Sequence, residues 1–164
     1  MTSQHPSILF VCLGNICRSP LAEGVLAHHL TNAGLLDSVR VDSAGTGAWH
    51  VDERPDPRSI EVARRNGIEL PGSARRVRPE DFGDFDYIYA MDADNLRDLQ
   101  HIAVGEDGAS GVALFRQHDP HATTDDMDVP DPYYGGSGGF DEVFEMVDRT
   151  CRVIVEKLSE ELSR

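Results

Sequence analysis

Cys12 and Arg18 stand six residues apart in the stretch Val11-Cys12-Leu13-Gly14-Asn15-Ile16-Cys17-Arg18-Ser19-Pro20. An ionised thiol is a nucleophile, and a guanidinium presents a planar fork that grips two phosphate oxygens. Joined by backbone N–H groups at a helix start, the two suit chemistry on a phosphate dianion. The spacing alone is common: three cysteines and 14 arginines in 164 residues supply such a pair about a quarter of the time. Its surroundings are more specific. Ile8-Leu9-Phe10-Val11 reads as a strand buried on both faces. Ser19-Pro20 reads as the N-cap and first turn of a helix with an apolar stripe of Leu21, Ala22, Val25, Leu26 and Leu30, ended by Gly34. A cysteine beside a helix N-terminus and an arginine is favoured as the thiolate. Gly14 lets backbone approach a ligand closely, so the amides from Leu13 through Arg18 are the expected oxyanion cradle.

Thiolate attack on a phosphate monoester also calls for an acid at the leaving group, since a phenolate has a parent pKa of ~10. Asp131, in Pro130-Asp131-Pro132-Tyr133-Tyr134-Gly135, is the candidate: two prolines stiffen it and two aromatics are expected to desolvate it, favouring its protonated form. Asp119-Pro120 and Asp56-Pro57 are similar pairs, and Asp119 is only slightly the weaker candidate. Other residues carry two readings each. Ser19 is a plain cap or a hydroxyl donor to the Cys12 sulfur; Asn15 shapes the loop through its side chain or simply tolerates a left-handed turn. Trp49, after Gly45-Thr46-Gly47, walls a pocket or closes the core edge. Cys17 pairs with Cys12 on oxidation or is small packing. Cys151 belongs to an apolar helix face. His118 and His121 resemble metal ligands but lack partners, so no metal is expected.

The elements that must position these groups alternate. Strands are expected at Val39 to Ser43, Asp86 to Met91 and Gly111 to Phe115. Helices are expected from Asp56-Pro57 to Asn66-Gly67, from the Asp92 cap through Leu99 and Ile102, and over an amphipathic C-terminal run carrying Phe140, Phe144, Val147, Cys151, Ile154, Leu158 and Leu162. The resulting class is α/β: a four-stranded parallel sheet with helices on both faces and a ligand site beyond the carboxyl ends of the strands. Cys12 sits at such an end. Arg116 to Gly139 is a long irregular stretch, with Gly135-Gly136-Ser137-Gly138-Gly139 as a flexible joint.

Length favours one domain over 1–164, with 1–6 as a flexible tail. A net charge of −14 argues against nucleic acid and anionic membranes as partners, leaving only a local positive site at Arg18. Three cysteines without a secreted framework point to a reducing cytoplasm. No apolar run reaches the ~18 residues of a membrane span, and no secretory signal opens the sequence.

Cys12-Leu13-Gly14-Asn15-Ile16-Cys17-Arg18-Ser19-Pro20, together with Asp131-Pro132-Tyr133-Tyr134-Gly135, resembles the low-molecular-weight protein tyrosine phosphatases. Ser43-Ala44-Gly45-Thr46, Ala74-Arg75 through Glu80-Asp81-Phe82, and Met91-Asp92 through Asn95-Leu96 extend the resemblance over nearly the whole chain. It implies a flavodoxin-like sheet and a two-step reaction without metal or other cofactor, acting on tyrosine-phosphorylated proteins as a monomer or weak dimer. Cys12 would form a phosphocysteine, Arg18 and the loop amides would hold the phosphoryl oxygens, and Asp131 would serve as acid and then base. Asn15, Ser19 and Ser43 would support the loop; Leu13, Ile16, Trp49, Tyr133 and Tyr134 would line the ring slot. One position departs: Gly72 stands where many relatives carry a histidine that supports the loop asparagine, so here the support is expected from Ser43 alone. Arsenate reductases of this fold need two further mid-chain cysteines, and none lies between Cys17 and Cys151. Arginine phosphatases tend to carry threonine at the position of Ile16, whose apolar side chain suits a phenyl ring. A non-catalytic phosphate-binding module would not need both Cys12 and Asp131.

Overall fold

The computed structural model describes residues 5–103, 111–133 and 138–163. Four parallel strands form one sheet in the order β2-β1-β3-β4. They are β1 (Ser7–Cys12), β2 (Arg40–Gly45), β3 (Tyr87–Ala90) and β4 (Val112–Leu114). The helices are α1 (Arg18–Asn32), α2 (Pro57–Arg65), the short α3 (Asp81–Asp84), α4 (Ala93–Ile102) and α5 (Gly138–Leu162). The flavodoxin-like α/β expectation stands, with β3 and β4 shorter than their apolar runs because the flanking residues turn into loops or the following helix.

The central strand explains the layering. Side chains alternate across a strand, and β1 sends Ile8, Phe10 and Cys12 into one core and Leu9 and Val11 into the other. The first core takes α1, α2 and α5 through Leu21, Leu26, Val62, Val147 and Ile154. The second takes α3 and α4 through Phe82 and Leu99. Each such fully buried side chain contributes about 1.5–3 kcal/mol. Cys151 is part of the first core, as its helix face implied.

The direction in which strands are added reverses between β1 and β3, the neighbours from which β2 and β4 build outward. Ligands of such sheets bind at that switch point, beyond the carboxyl ends. Cys12 ends β1, in register with Gly45 of β2, and Asp92 follows β3 by two residues. Asp56 and Asp92 cap α2 and α4 as expected, their carboxylates accepting from Arg58 N and Asn95 N at 2.8 Å. Ser19 does not cap α1. That helix starts two residues earlier, with Cys17 as a cap that makes no side-chain bond, so its first-turn amides stay uncapped by any side chain. The expected tail is also shorter: Pro6 is buried and its carbonyl accepts from Arg40 N at 2.9 Å.

Candidate active site

The loop between β1 and α1 is held by its carbonyls. Thr46 N and Gly47 N donate to the carbonyls of Cys12 and Leu13, both at 2.9 Å; Asp56 N donates to that of Ile16 at 2.7 Å. Ser59 Oγ and Leu21 N reach the Cys17 carbonyl at 3.3 and 3.4 Å. Within a trans peptide the next N–H points opposite to its carbonyl. The amides of Leu13, Gly14, Cys17 and Arg18 are therefore turned away from these anchors, into the loop. Among the described residues, none of the amides from Leu13 to Cys17 donates to a backbone carbonyl. Converging free amides beside a helix N-terminus make an anion nest. Gly45 makes this close packing possible, because a Cβ there would sit 2.7 Å from the Leu13 carbonyl oxygen.

A pocket of about 390 Å³ opens over this nest. Cys12, Leu13, Gly14, Ile16, Cys17, Arg18, Trp49, Asp131 and Tyr133 line it, together with His50. Nine residues singled out in the sequence thus meet on one cavity. Trp49 resolves as a pocket wall: it is 74% exposed, and its ring lies over Gly47, where a Cβ would clash. Tyr134 lies outside the described residues. His50 gave no sequence signal beyond adjacency to Trp49; its ring packs 6.3 Å from that of Tyr133, and Glu53 holds its Nδ1 at 2.6 Å.

Arg18 is 3% exposed and held from behind. Its Nη1 bonds Asp92 Oδ2 at 2.6 Å and the Val129 carbonyl at 2.9 Å. That commits one corner to the protein and leaves the Nε–Nη2 edge as the fork for phosphate oxygens. Burial works against the guanidinium charge, but Cys12, Asp92 and Asp131 outweigh it and raise its pKa above the ordinary value. Asp92 was legible as a helix cap; its second oxygen, which orients Arg18, was not.

Val129 also sets Asp131. Its N–H donates to the Met91 carbonyl at 2.8 Å, pinning the late loop to the end of β3, while Asp128 accepts from Ala93 N at 2.9 Å. Two residues on, Asp131 turns Oδ2 to within 3.7 Å of Arg18 Nη2, and its Oδ1 accepts from Tyr133 N at 3.0 Å. The expected desolvation by aromatics is not realised: the Asp131 side chain remains 36% exposed on the rim. Asp119, the competing acid, is out of reach. It is buried between Arg116 and Arg149, bonded at 2.8 and 2.7 Å. Burial opposes its charge, but those bonds and the His121 N–H prevail and lower its pKa to about 2.

The two loop cysteines differ in chemistry. Burial first, then Asp56, pushes the Cys17 thiol up to about 12, so it stays protonated. Cys12 Sγ instead has the Ser19 hydroxyl at 3.0 Å. Behind the loop, Asn15 adopts a left-handed conformation (φ 57°) and serves both of its readings at once. Its Nδ2 donates to Ser19 Oγ at 2.8 Å and Ser43 Oγ at 3.0 Å, and its Oδ1 accepts from Arg75 N at 3.0 Å. Ser43 alone is thus not the support. A backbone amide of Arg75 shares the task, and Gly72 sits in a turn of positive φ. His118, one of the metal-like pair, contacts Tyr89 and Lys157 near Ile8 at the start of β1, away from the pocket.

The description "Low molecular weight phosphotyrosine protein phosphatase" matches residues 7–164. The chain belongs to this family. A member from Schizosaccharomyces pombe is 46% identical over 89% of this chain and 93% of its own. Among solved structures, a protein tyrosine phosphatase from Entamoeba histolytica superposes with a TM-score of 0.88 at 37% identity, covering 95% of this chain and 98% of its own. A Drosophila arginine phosphatase superposes at 0.84 with 33% identity, covering 92% of this chain and 96% of its own. The solved structures that this chain resembles thus include both a tyrosine phosphatase and an arginine phosphatase. No described helix is long and apolar enough to cross a membrane.

Proposed function

We propose that this chain hydrolyses phosphotyrosine monoesters on proteins in two steps, with Cys12 as nucleophile, Arg18 and the loop amides as phosphoryl cradle, and Asp131 as acid and then base. The carrying observation is the convergence of Cys12, Arg18 and Asp131 on one pocket whose floor is a ring of amides with outward-anchored carbonyls. In the first step the Cys12 thiolate bonds to phosphorus as the P–O(aryl) bond breaks, and Asp131 passes its proton to the departing phenolate. In the second, Asp131 takes a proton from water, whose oxygen attacks phosphorus and expels the Cys12 thiolate. The equatorial oxygens remain held by the Arg18 Nε–Nη2 edge and the amides, donors that need no reorganisation as charge develops. Ser19, at 3.0 Å from the sulfur, supplies a hydrogen bond to the thiolate on departure.

Substrate class follows from the walls. Leu13, Ile16, Trp49 and Tyr133 offer apolar faces around the nest, which suit a flat aromatic ring. Ile16 in particular gives a guanidino group no hydrogen-bond acceptor side chain. The three described cysteines are all free, which fits a reducing compartment such as the cytoplasm. Cys12→Ser is the direct test. It is expected to abolish hydrolysis of phosphotyrosine peptides while phosphate still binds in a calorimetric titration. Turnover above about a tenth of wild type would remove Cys12 from the nucleophile role. Wild-type turnover on phosphoarginine peptides matching that on phosphotyrosine peptides would defeat the aromatic reading.

A further inference from the structure

The hydrogen-bond chain behind the nucleophile does not end at Ser43. Ser43 Oγ donates to Glu23 Oε1 at 2.6 Å. Glu23 lies four residues beyond Ser19 on α1, hence on the same helix face. One amide fixes the orientation of Asn15 between them. Because Arg75 N donates to Asn15 Oδ1, Asn15 must turn its Nδ2 toward both hydroxyls. Ser19 and Ser43 each accept from Asn15; Ser43 sends its proton to Glu23, and Ser19, with the Ala44 carbonyl more distant at 3.5 Å, sends its own to the Cys12 sulfur once that sulfur is a thiolate. A carboxylate accepts that proton in a charge-assisted bond, roughly twice as strong as the bond a neutral carboxylic acid accepts through its carbonyl oxygen.

We propose that Glu23 is a positioning residue for the Cys12 thiolate: ionised, it takes the Ser43 proton and so keeps Asn15 and Ser19 aimed along the chain toward the sulfur. The inference rests on Cys12 being the nucleophile. Protonated, Glu23 offers the Ser43 hydrogen only a neutral carbonyl oxygen, a weaker acceptor, and so slackens Asn15, which holds a left-handed backbone.

The charge of Glu23 is set where an enzyme works. Burial pushes its carboxyl up to about 7; the Ser43 bond opposes this, Asp42 on β2 adds to it, and Arg75 on the loop after α2 opposes it. Arg75 helps little because it is shared, at 3.0 Å each, between Asp42 and Asp81. Arg54, on the loop before α2, is committed to the carbonyls of Leu70 and Gly72. The acid is thus neutral below pH 7 and charged above it, and support for the nucleophile rises through that point.

The test compares kcat–pH profiles of wild type, Glu23→Gln, Ser43→Ala and the double variant on an aryl phosphate. Wild type is expected to show an inflection near pH 7. Glu23→Gln should lose it and fall about three- to tenfold in kcat at pH 8, the scale of one hydrogen bond, with KM unchanged. Ser43→Ala cuts the chain without touching the carboxyl and should also lose the inflection, and adding Glu23→Gln to it should change nothing more. An inflection retained in Glu23→Gln, or a loss equal at every pH and additive with Ser43→Ala, overturns the proposal and leaves only packing. Either result is read against active enzyme, so it leaves the Cys12→Ser outcome untouched.

Discussion

Asp131→Asn separates proton donation from every other job of this side chain. Asn keeps an Oδ1 to accept from Tyr133 N, the bond that shapes the turn at 3.0 Å, so the loop should stay as it is. What disappears is the transferable proton and the charge 3.7 Å from Arg18. General acid catalysis contributes ~10²–10⁴ in rate, or about 3–5 kcal/mol of barrier. A tyrosine leaving as phenolate, with parent pKa ~10, needs all of it. A nitrophenolate is a far weaker base and leaves without help, so its kcat is expected to fall by about tenfold or less. The lost charge acts in the opposite direction on binding. An exposed pair of this kind contributes ~0.5–1 kcal/mol, so inorganic phosphate should inhibit the variant about two- to fivefold more tightly. The assay is steady-state turnover of a phosphotyrosine peptide and of nitrophenyl phosphate, each with phosphate as competitor. Equal losses on the two substrates, or weaker inhibition by phosphate, would refute the assignment of Asp131 as the acid beside Arg18.

Two further outcomes follow from the same geometry. Peroxide should inactivate reversibly, as the Cys12 sulfenic acid condenses with the Cys17 thiol to a disulfide and water. Because Cys17 is held at about 12, closure followed by mass spectrometry should quicken about tenfold per pH unit between roughly pH 7 and 9. Closure independent of pH would show that Cys17 is not the attacking thiol. Asp119→Ala should destabilise the fold by about 3 kcal/mol in urea, because it strips a partner from the buried Arg116. The wild-type carboxyl lies below its ordinary 3.8, so its contribution is present above about pH 4 and lost as pH falls toward 2. A variant as stable as wild type at pH 7 would show that Asp126 and the Asp128 carbonyl suffice for Arg116.

What could be read from the sequence was whatever chemistry is local in it. Strand β1, its loop, and the Asp56 and Asp92 caps follow from neighbours within four residues, where periodicity and cap chemistry act. Even there, the cap was misplaced by two residues: Ser19 looks like one, but the helix begins before it and frees its hydroxyl for the Cys12 sulfur. Choosing Asp131 over Asp119 required knowing which of 14 arginines each one meets. Arg149 reaches Asp119 from α5, and Arg18 reaches Asp131 only because Val129 is tied to the end of β3. The support for Asn15 was hidden for a different reason. Arg75 acts through its backbone N–H, and a main-chain amide carries no residue identity.

A chain of net charge −14 nonetheless builds a site for a dianion, and the arrangement around Arg18 accounts for it. Asp92 at 2.6 Å and Asp131 at 3.7 Å flank the guanidinium, so Arg18 cannot be the whole attraction. The remainder falls to the loop amides and the uncapped start of α1, neutral dipoles that add no charge to the empty pocket. Asp92 is turned to Nη1, behind the fork, where it orients without meeting the ligand. Asp131 is the carboxyl that faces the incoming phosphate, and as a carboxylate it would repel it. The first step of the proposed reaction, however, uses Asp131 protonated. The same proton that the leaving phenolate requires therefore also removes a carboxylate charge that opposes substrate entry. One proton on Asp131 would thus serve both admission and departure, and the exposed rim keeps this carboxyl within reach of water for the proposed second step.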